Sequence, residues 1–316
     1  MGIPVVTLIT EPGIYNLSAA EYHSGPGVSK SNLDLIHECP ALLEWSRNAP
    51  TDDDARSAVN IGTAFHALIL EPDVFNKEYV VDFAPPSDAI STVEELKAAL
   101  MARGIEFKAS ANKSALTKAL LDSDPDAPVT DALHDEWRKG VNGRIVLSAA
   151  EWKKLDLMRG SLLAHPVARW FVEADGKSEQ NFYAYDDATG ELIRARMDRT
   201  LANRPIIVDL KTTGDIGRFE YSVQDYRYYV QDPFYSDIYQ KVNSQKPTFV
   251  FIVVSTTRDR CRYPVRVMKL PPEQAQLGRD EYREDLNKYA ECKASGIWAG
   301  IENISLPERF LKERMI

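Results

Sequence analysis

The sequence predicts an α/β fold, a central mixed sheet flanked by helices, and two observations carry that prediction. Residues 179–213 read as three strand-length segments separated by two short turns. Segments with helical spacing of apolar residues lie on both sides of them in the chain, at 148–171, 219–242 and 272–295. Composition sets the frame. The chain has 316 residues, of which 44% are hydrophobic and 27% charged, so coiled-coil, collagen-like and largely disordered readings fall away. That length suits one large domain or two small ones. The reading adopted is a single domain over 1–316 with a helical insertion at about 86–145.

The elements follow in order. In GIYNLSAAEYHSGPGVSKSNLDLIHECPALLEWSR, Ser29 or Ser31 caps a helix carrying Leu33, Leu35 and Ile36, and Pro40 ends or kinks it before Leu42, Leu43 and Trp45. TDDDARS at 51–57 is polar and loop-like. Gly62-Thr63 opens a short apolar helix, AFHALILEP, closed by Pro72, which places His66 among buried neighbours. From Pro85 to Gly143 apolar residues thin out. Two amphipathic helices, TVEELKAALMARG and KSALTKALL, precede the turn-rich DSDPDAP there. The helix at 148–171 carries Trp152, Leu155, Met158, Leu162 and Leu163 and ends near His165-Pro166. The strands are EQNFYAYD, then ELIRARMDRT after Asp187 to Gly190, then PIIVDLKTT after Ala202-Asn203. FEYSVQDYRYYVQDPFYSDIYQKV is helical for much of its length. TFVFIVVSTT and RYPVRVMKL follow as strands, and a long helix runs from Pro272 to Ser295.

The balance of 38 Lys and Arg against 47 Asp and Glu gives a net charge of −9. That excludes a chain that coats nucleic acid through its overall charge, while leaving room for a local basic groove. Cys39, Cys261 and Cys292 are odd in number and far apart, so a disulfide framework is not expected and a reducing compartment is. The N-terminus lacks a basic and apolar leader pattern, and apolar runs such as Phe249 to Val254 are strand-sized, so the expectation is a cytoplasmic chain without a membrane partner. GPGVSKS does not match a phosphate-binding G-x-x-x-x-G-K-[ST] loop, and no G-x-G-x-x-G follows a strand.

The chemistry concentrates at Asp198 on one strand and Asp209-Leu210-Lys211 on the next. Strand alternation sends Asp209 and Lys211 to one face and Leu210 to the other, and hairpin pairing brings Asp198 towards Asp209. Two adjacent carboxylates repel unless a cation lies between them, and hard oxygen ligands suit Mg²⁺ or Mn²⁺. The alternative for an isolated D-x-K is a solvated turn with a surface ion pair. A lone His66 in an apolar helix is open to either reading, core residue or ligand. Arg194, Arg196, Arg199, Arg218 and Arg227 flank the place, and RDRCRYPVRVMK at 258–269 adds a basic run. These serve either as DNA contacts or as guards of a strand edge. The tyrosines between 221 and 239 stack on bases or pack in the core.

The ordered blocks GIYNLSAAEYH, GTAFHALILEPDVF, ARMDRT with IIVDLKTTGDIGRF, DYRYYVQDPFYSD, and PTFVFIVVSTT with RYPV together resemble the PD-(D/E)xK nuclease superfamily. The resemblance is to its RecB-type branch, which includes lambda exonuclease and exonuclease VIII, and most of all to the C-terminal nuclease domain of RecE-type exonucleases. It spans most of the chain outside 86–145. It implies a restriction-endonuclease-like core, with His66, Asp198 and Asp209 as metal ligands together with the Leu210 carbonyl. It also implies that Lys211 orients water or stabilises charge on the scissile phosphate. Gln231 and Tyr235 match a Q-x-x-x-Y motif that supports the site and the DNA strand, and Glu179 corresponds to an additional acidic position. The implied cofactor is Mg²⁺, and imidazole ligation makes Mn²⁺ an acceptable substitute. No iron–sulfur cluster is expected, since Cys39 has no C-terminal cysteine trio to join it.

The implied activity is exodeoxyribonucleolytic: hydrolysis of linear double-stranded DNA from 5′ to 3′, leaving a 3′ overhang. The implied partners are double-stranded DNA ends, other copies in a homo-oligomeric ring of three or four, and a single-strand annealing protein. The competing readings are a non-catalytic DNA-end-binding scaffold and an endonuclease of the same superfamily. Pro233 falls inside the Q-x-x-x-Y segment. Proline in a helix interior costs about 3 kcal/mol, so the helix is expected to start near Asp232 or to kink there.

Overall fold

The computed structural model describes residues 9–50, 60–302 and 304–306. The loop read at 51–57 therefore lies outside the described residues. The elements are β1 (Gly13–Tyr15), α1 (Ala19–Ser24), α2 (Lys30–Glu38), α3 (Pro40–Asn48), α4 (Ile61–Leu70) and α5 (Pro72–Glu78). Next come β2 (Tyr79–Val81), α6 (Val93–Ala102), α7 (Lys113–Ser123), α8 (Thr130–Val141), β3 (Ile145–Leu147), α9 (Ala149–Ala164) and α10 (Pro166–Glu173). The remainder are β4 (Gly176–Tyr185), β5 (Leu192–Leu201), β6 (Ile206–Thr213), α11 (Phe219–Asp225), α12 (Tyr228–Asn243), β7 (Thr248–Ser255), β8 (Val265–Met268) and α13 (Pro272–Ser295). Among the described residues no helix is long and apolar enough to cross a membrane.

The described residues form two compact units, one holding 9–50, 60–72 and those from 156 to 306, the other holding 73–155. In the first, six strands form one sheet in the order β1-β4-β5-β6-β7-β8. All neighbours are antiparallel except β6 and β7, which run parallel with Asp209 opposite Phe251. The sheet is mixed, as the sequence predicts, because α11 and α12 supply the long crossover that a parallel pair requires. β7 is buried along nearly its whole length, which is why TFVFIVVS is a continuous apolar run rather than an alternating one. Phe182, Ile193, Ala195, Met197, Ile207, Phe251 and Val253 of the sheet share one core with Phe234 and Ile238 of α12, Leu286 of α13 and Leu33 and Ile36 of α2.

Local signals explain the helix boundaries. Ser29, not Ser31, caps α2, accepting from the Asn32 amide. Pro40 opens α3 at its first turn, where a missing N–H costs nothing. Of the two expectations for Pro233, the start near Asp232 is overturned: α12 starts at Tyr228, after Arg227 in a left-handed conformation (φ 50°), and carries Pro233 inside it. Pro233 has no N–H for the Tyr229 carbonyl. The backbone of Gly278 on α13 lies against that carbonyl instead, so close that a Cβ on residue 278 would stand 1.9 Å from the oxygen. The absent side chain lets α12 and α13 pack at the proline.

Asp186, at the end of β4, closes the turn to β5 by accepting from the Thr189 amide and hydroxyl, and its carboxylate meets Arg283 of α13 in a two-pronged ion pair. Burial alone would raise its pKa, but the Arg283 and Thr189 hydrogen bonds prevail and hold it at about 2, below the ordinary 3.8. A depressed native pKa stabilises the fold above the unfolded value and loses that contribution as pH falls towards the native one. Urea unfolding between pH 5 and pH 2 should therefore show a steeper loss of stability for the wild type than for Asp186→Asn.

The second unit has its own core, Leu96 and Leu100 of α6 against Leu116 and Leu120 of α7, closed by Ala127 and Val129. Its flanks reach beyond the 86–145 read from sequence. β2 and β3 pair in parallel, Tyr79 opposite Ile145, and Phe75 stacks on Tyr79 at 4.9 Å and leans on Trp152 at 6.0 Å. Strands of three residues leave too short an alternation to read from sequence.

Candidate active site

The sheet sets three carboxylates in a row. The β4–β5 register pairs Ser178 with Arg199 and Gln180 with Met197, which puts Glu179 opposite Asp198, and the β5–β6 pair Arg199–Val208 leads on to Asp198 opposite Asp209. Regular β5–β6 pairing stops at this row. The Asp198 carboxylate takes over by accepting the Leu210 N–H at 2.7 Å. Glu179 sits in the left-handed region at φ 55°, rare for a residue with a side chain and costly within a strand.

Three cations answer the row. His66 arrives on α4, whose first turn is capped by the Asn60 side chain accepting from the Gly62 and Thr63 amides. Gly62 lets that turn close on β6, since a Cβ there would meet Thr212 Oγ1 at 2.9 Å. His66 Nε2 lies 3.4 Å from Asp198 Oδ2 and in a shorter contact with the Leu210 carbonyl, while Nδ1 is 3.9 Å from Glu179 Oε1. Arg196 holds the other Glu179 oxygen at 2.6 Å and reaches Glu71 at 3.4 Å. Lys211 Nζ is 2.5 Å from Asp209 Oδ2 and 4.6 Å from the centre of the Tyr228 ring. Gln231 donates to the second Asp209 oxygen at 2.6 Å.

These contacts set the protonation states. Burial alone would lower the His66 pKa, but Asp198, Glu179 and the Leu210 carbonyl outweigh it and raise the imidazole to about 9. Burial lifts Asp209 to about 6 against the pull of Lys211, with Asp198 adding to the rise. Asp198 is raised by burial against His66 and Lys211. Lys211, despite burial, is held above its usual range by Asp209 and Asp198. The imidazolium occupies a place built for positive charge.

The donor set fits a hard divalent ion. One ligand atom each from His66, Glu179 and Asp198 lies within 4.8 Å of the others, and the Leu210 carbonyl converges on the same His66 nitrogen. The geometry differs from the expected ligand set at two places. Asp209 faces Lys211 and Gln231 rather than joining the cluster, and Glu179 lies within it. Gln231 and Tyr235 both line the pocket of about 360 Å³ that opens onto His66 and Asp198. The N-terminal turn of α2 also lines it, with Ser29, Lys30, Ser31 and Asp34. The sequence marks this turn by its helix-capping serines, and nothing in their spacing to the acidic residues shows that the turn reaches the pocket.

The arginines separate. Arg194, expected on DNA, is 5% exposed, and its guanidinium donates to the carbonyls of Tyr22, His23, Gly25 and Pro26. Those bonds leave it no face for a phosphate. Arg194→Ala should cost about 2–3 kcal/mol in urea unfolding by stranding buried carbonyls, with no change in DNA affinity of the folded protein. Arg227 is likewise engaged, bonded to Asp34, Glu281 and Asp285 at 3.0, 3.1 and 2.7 Å. It clamps the junction of α11 and α12 instead of meeting solvent. Arg196 stays in the pocket wall, paired with Glu179, and Arg218 is exposed, lying over the Tyr221 ring at 4.6 Å.

The family described as a PDDEXK-like domain of unknown function (DUF3799) matches residues 29–304. A crystal structure from Eubacterium rectale, described as a putative exonuclease, superposes with a TM-score of 0.53 over 94% of this chain and 98% of that one, at 10% identity. At that identity the likeness is one of fold. The crystal structure of SSO0001 aligns over 71% of this chain and 84% of that one, with 12% identity and a TM-score of 0.24. A search of curated proteins finds no match.

Proposed function

Because the chain belongs to the PDDEXK-like domain family, we propose that it is a divalent-metal-dependent exodeoxyribonuclease that digests linear double-stranded DNA from 5′ to 3′ and leaves a 3′ overhang. The observation that carries the hydrolytic reading is the Glu179–Asp198–Asp209 row, with His66 at one side and Lys211 at the other. A scaffold that only binds DNA ends has no use for three carboxylates held together at such electrostatic cost. Polarity and the overhang rest on the likeness of the sequence blocks to RecE-type exonucleases. So do a trimeric or tetrameric ring around the duplex and an annealing protein that receives the overhang. A ring with a basic channel accommodates a net charge of −9.

His66, Asp198, Glu179 and the Leu210 carbonyl would hold the ion, Mg²⁺ with Mn²⁺ as substitute. When bound, the ion supplies charge neutralisation at the phosphate and acidifies the attacking water. The remaining residues orient and hold charge. Lys211 stays protonated on Asp209 and Tyr228, and can steady the water or the non-bridging phosphate oxygen. Gln231 fixes the Asp209 carboxylate through which Lys211 is aimed. Arg196 fixes Glu179 in its left-handed backbone position.

The deciding assay uses linear duplex labelled at its 5′ ends beside a closed circle, with Mg²⁺, Mn²⁺ or EDTA. Labelled mononucleotide released only from linear DNA, and only with metal, is the expected result. Cutting of the circle would make the protein an endonuclease, and bound but intact ends would make it a scaffold. In a separate titration of Mn²⁺ by calorimetry, Asp198→Asn should weaken binding about tenfold or more, since it replaces a charged ligand by a neutral one.

A further inference from the structure

Resting on the nuclease reading, we propose that Tyr226 is a stacking platform for an unpaired nucleobase of the DNA strand entering the site, with Arg218 and Tyr221 continuing that path. Tyr226 is 62% exposed and Tyr221 51%, aromatic residues left largely in water beside a charged pocket. Tyr226 is joined to the chemistry by a single intervening ring. It stacks on Tyr228 at 5.6 Å and 25°, and Tyr228 receives the Lys211 ammonium at 4.6 Å. Lys211 in turn sits on Asp209.

The backbone that carries the exposed ring is also held in place. The Tyr226 carbonyl accepts from Lys30 Nζ at 2.5 Å, and Lys30 is itself part of the pocket wall and paired with Asp34. The Tyr226 amide donates to Ser222, and the next residue, Arg227, is locked by three carboxylates in a left-handed conformation. A ring carried on an anchored backbone and stacked on Tyr228 before the ligand arrives loses less entropy on stacking than a free one. Aromatic faces beside an arginine suit bases of any sequence, because every base offers a π-face and the cation meets the backbone. Just before α11 the exposed Arg218 lies over Tyr221 of that helix at 4.6 Å, the same pairing of cation and aromatic. Phe219, between them, points into the core, so the exposure belongs to one side of the helix.

The test compares wild type with Tyr226→Ala, Tyr226→Phe and Tyr226→Trp on linear duplex carrying 2-aminopurine at the end to be digested. In EDTA, where no strand is cut, wild type should quench the probe on binding. The Phe and Trp variants should do the same and the Ala variant should not. In Mg²⁺ the Ala variant should raise KM about tenfold, the lower part of the range for losing one base–aromatic stack, and change kcat far less. Equal KM and equal quenching in wild type and Tyr226→Ala, with wild type digesting DNA, would overturn the inference and leave the nuclease reading standing. Failure of wild type itself to cut or bind DNA would remove the reading on which the inference rests. Matching thermal melts of the variants, expected for a half-exposed ring, separate stacking from misfolding.

Discussion

Replacing Lys211 by methionine should abolish DNA cleavage, by about 10³-fold or more in kcat, while leaving the fold intact. The lysine is the cation in direct contact with Asp209 among the described residues, and its ammonium is confined between that carboxylate and the Tyr228 ring. Methionine fills much the same space without the charge. The expected retention of fold follows from Asp209, which burial and Asp198 already raise to about 6. Without Lys211 opposing them, that carboxyl takes up a proton near neutral pH, so no uncompensated charge is stranded. Lys211→Arg should fail almost as badly, because a planar, delocalised guanidinium, though able to stack on Tyr228, does not present the ammonium's compact point charge at the same place. Digestion of end-labelled duplex measures the loss, and thermal melting checks the fold. Activity of Lys211→Met within tenfold of wild type would remove the lysine from the chemistry.

The parts of this site that the sequence reveals are those fixed by strand alternation and by contiguous motifs. Asp209 and Lys211 share a strand face because they are two residues apart, and Asp198 meets them because a short turn forces antiparallel pairing. His66 stands out through its sequence block, because periodicity cannot tell a ligand from a core histidine, and the fold does bring it beside Asp198. What stayed hidden depends on long-range packing. The α2 turn lines the pocket beside Asp198 and Gln231, far from it along the chain, and Lys30 bonds to Tyr226 across 196 residues. Arg194 looks like a DNA contact in RARMDR, and only the folding of residues 22–26 around its guanidinium shows that it is internal. The same limit applies to Pro233, whose cost in a helix is set by what packs against the free carbonyl.

That carbonyl makes Gly278 the residue on which the packing of α12 and α13 depends most sharply, and Gly278→Ala should lower stability by about 3 kcal/mol or more. A Cβ at 278 would lie 1.9 Å from the Tyr229 oxygen, 2.6 Å from its carbon and 3.0 Å from the Val230 nitrogen. All three are backbone atoms of a buried helix, so no side chain can swing aside and the helices must part. Separation would strain the Arg279–Asp237 and Tyr282–Asp237 bonds and the Phe234–Tyr282 contact that join the same two helices. It would also displace Gln231, two residues beyond Tyr229, from Asp209. Activity of the folded fraction should therefore fall along with stability. Pro233→Ala provides the contrast. It restores an N–H for Tyr229 while relaxing the unfolded chain, two effects of opposite sign that should leave stability within about 1 kcal/mol of wild type. Urea unfolding of both variants measures the difference. A Gly278→Ala midpoint equal to wild type would mean that α13 can withdraw from α12 without cost, and that the bare backbone at 278 is not what seats the Gln231-bearing helix beside the site.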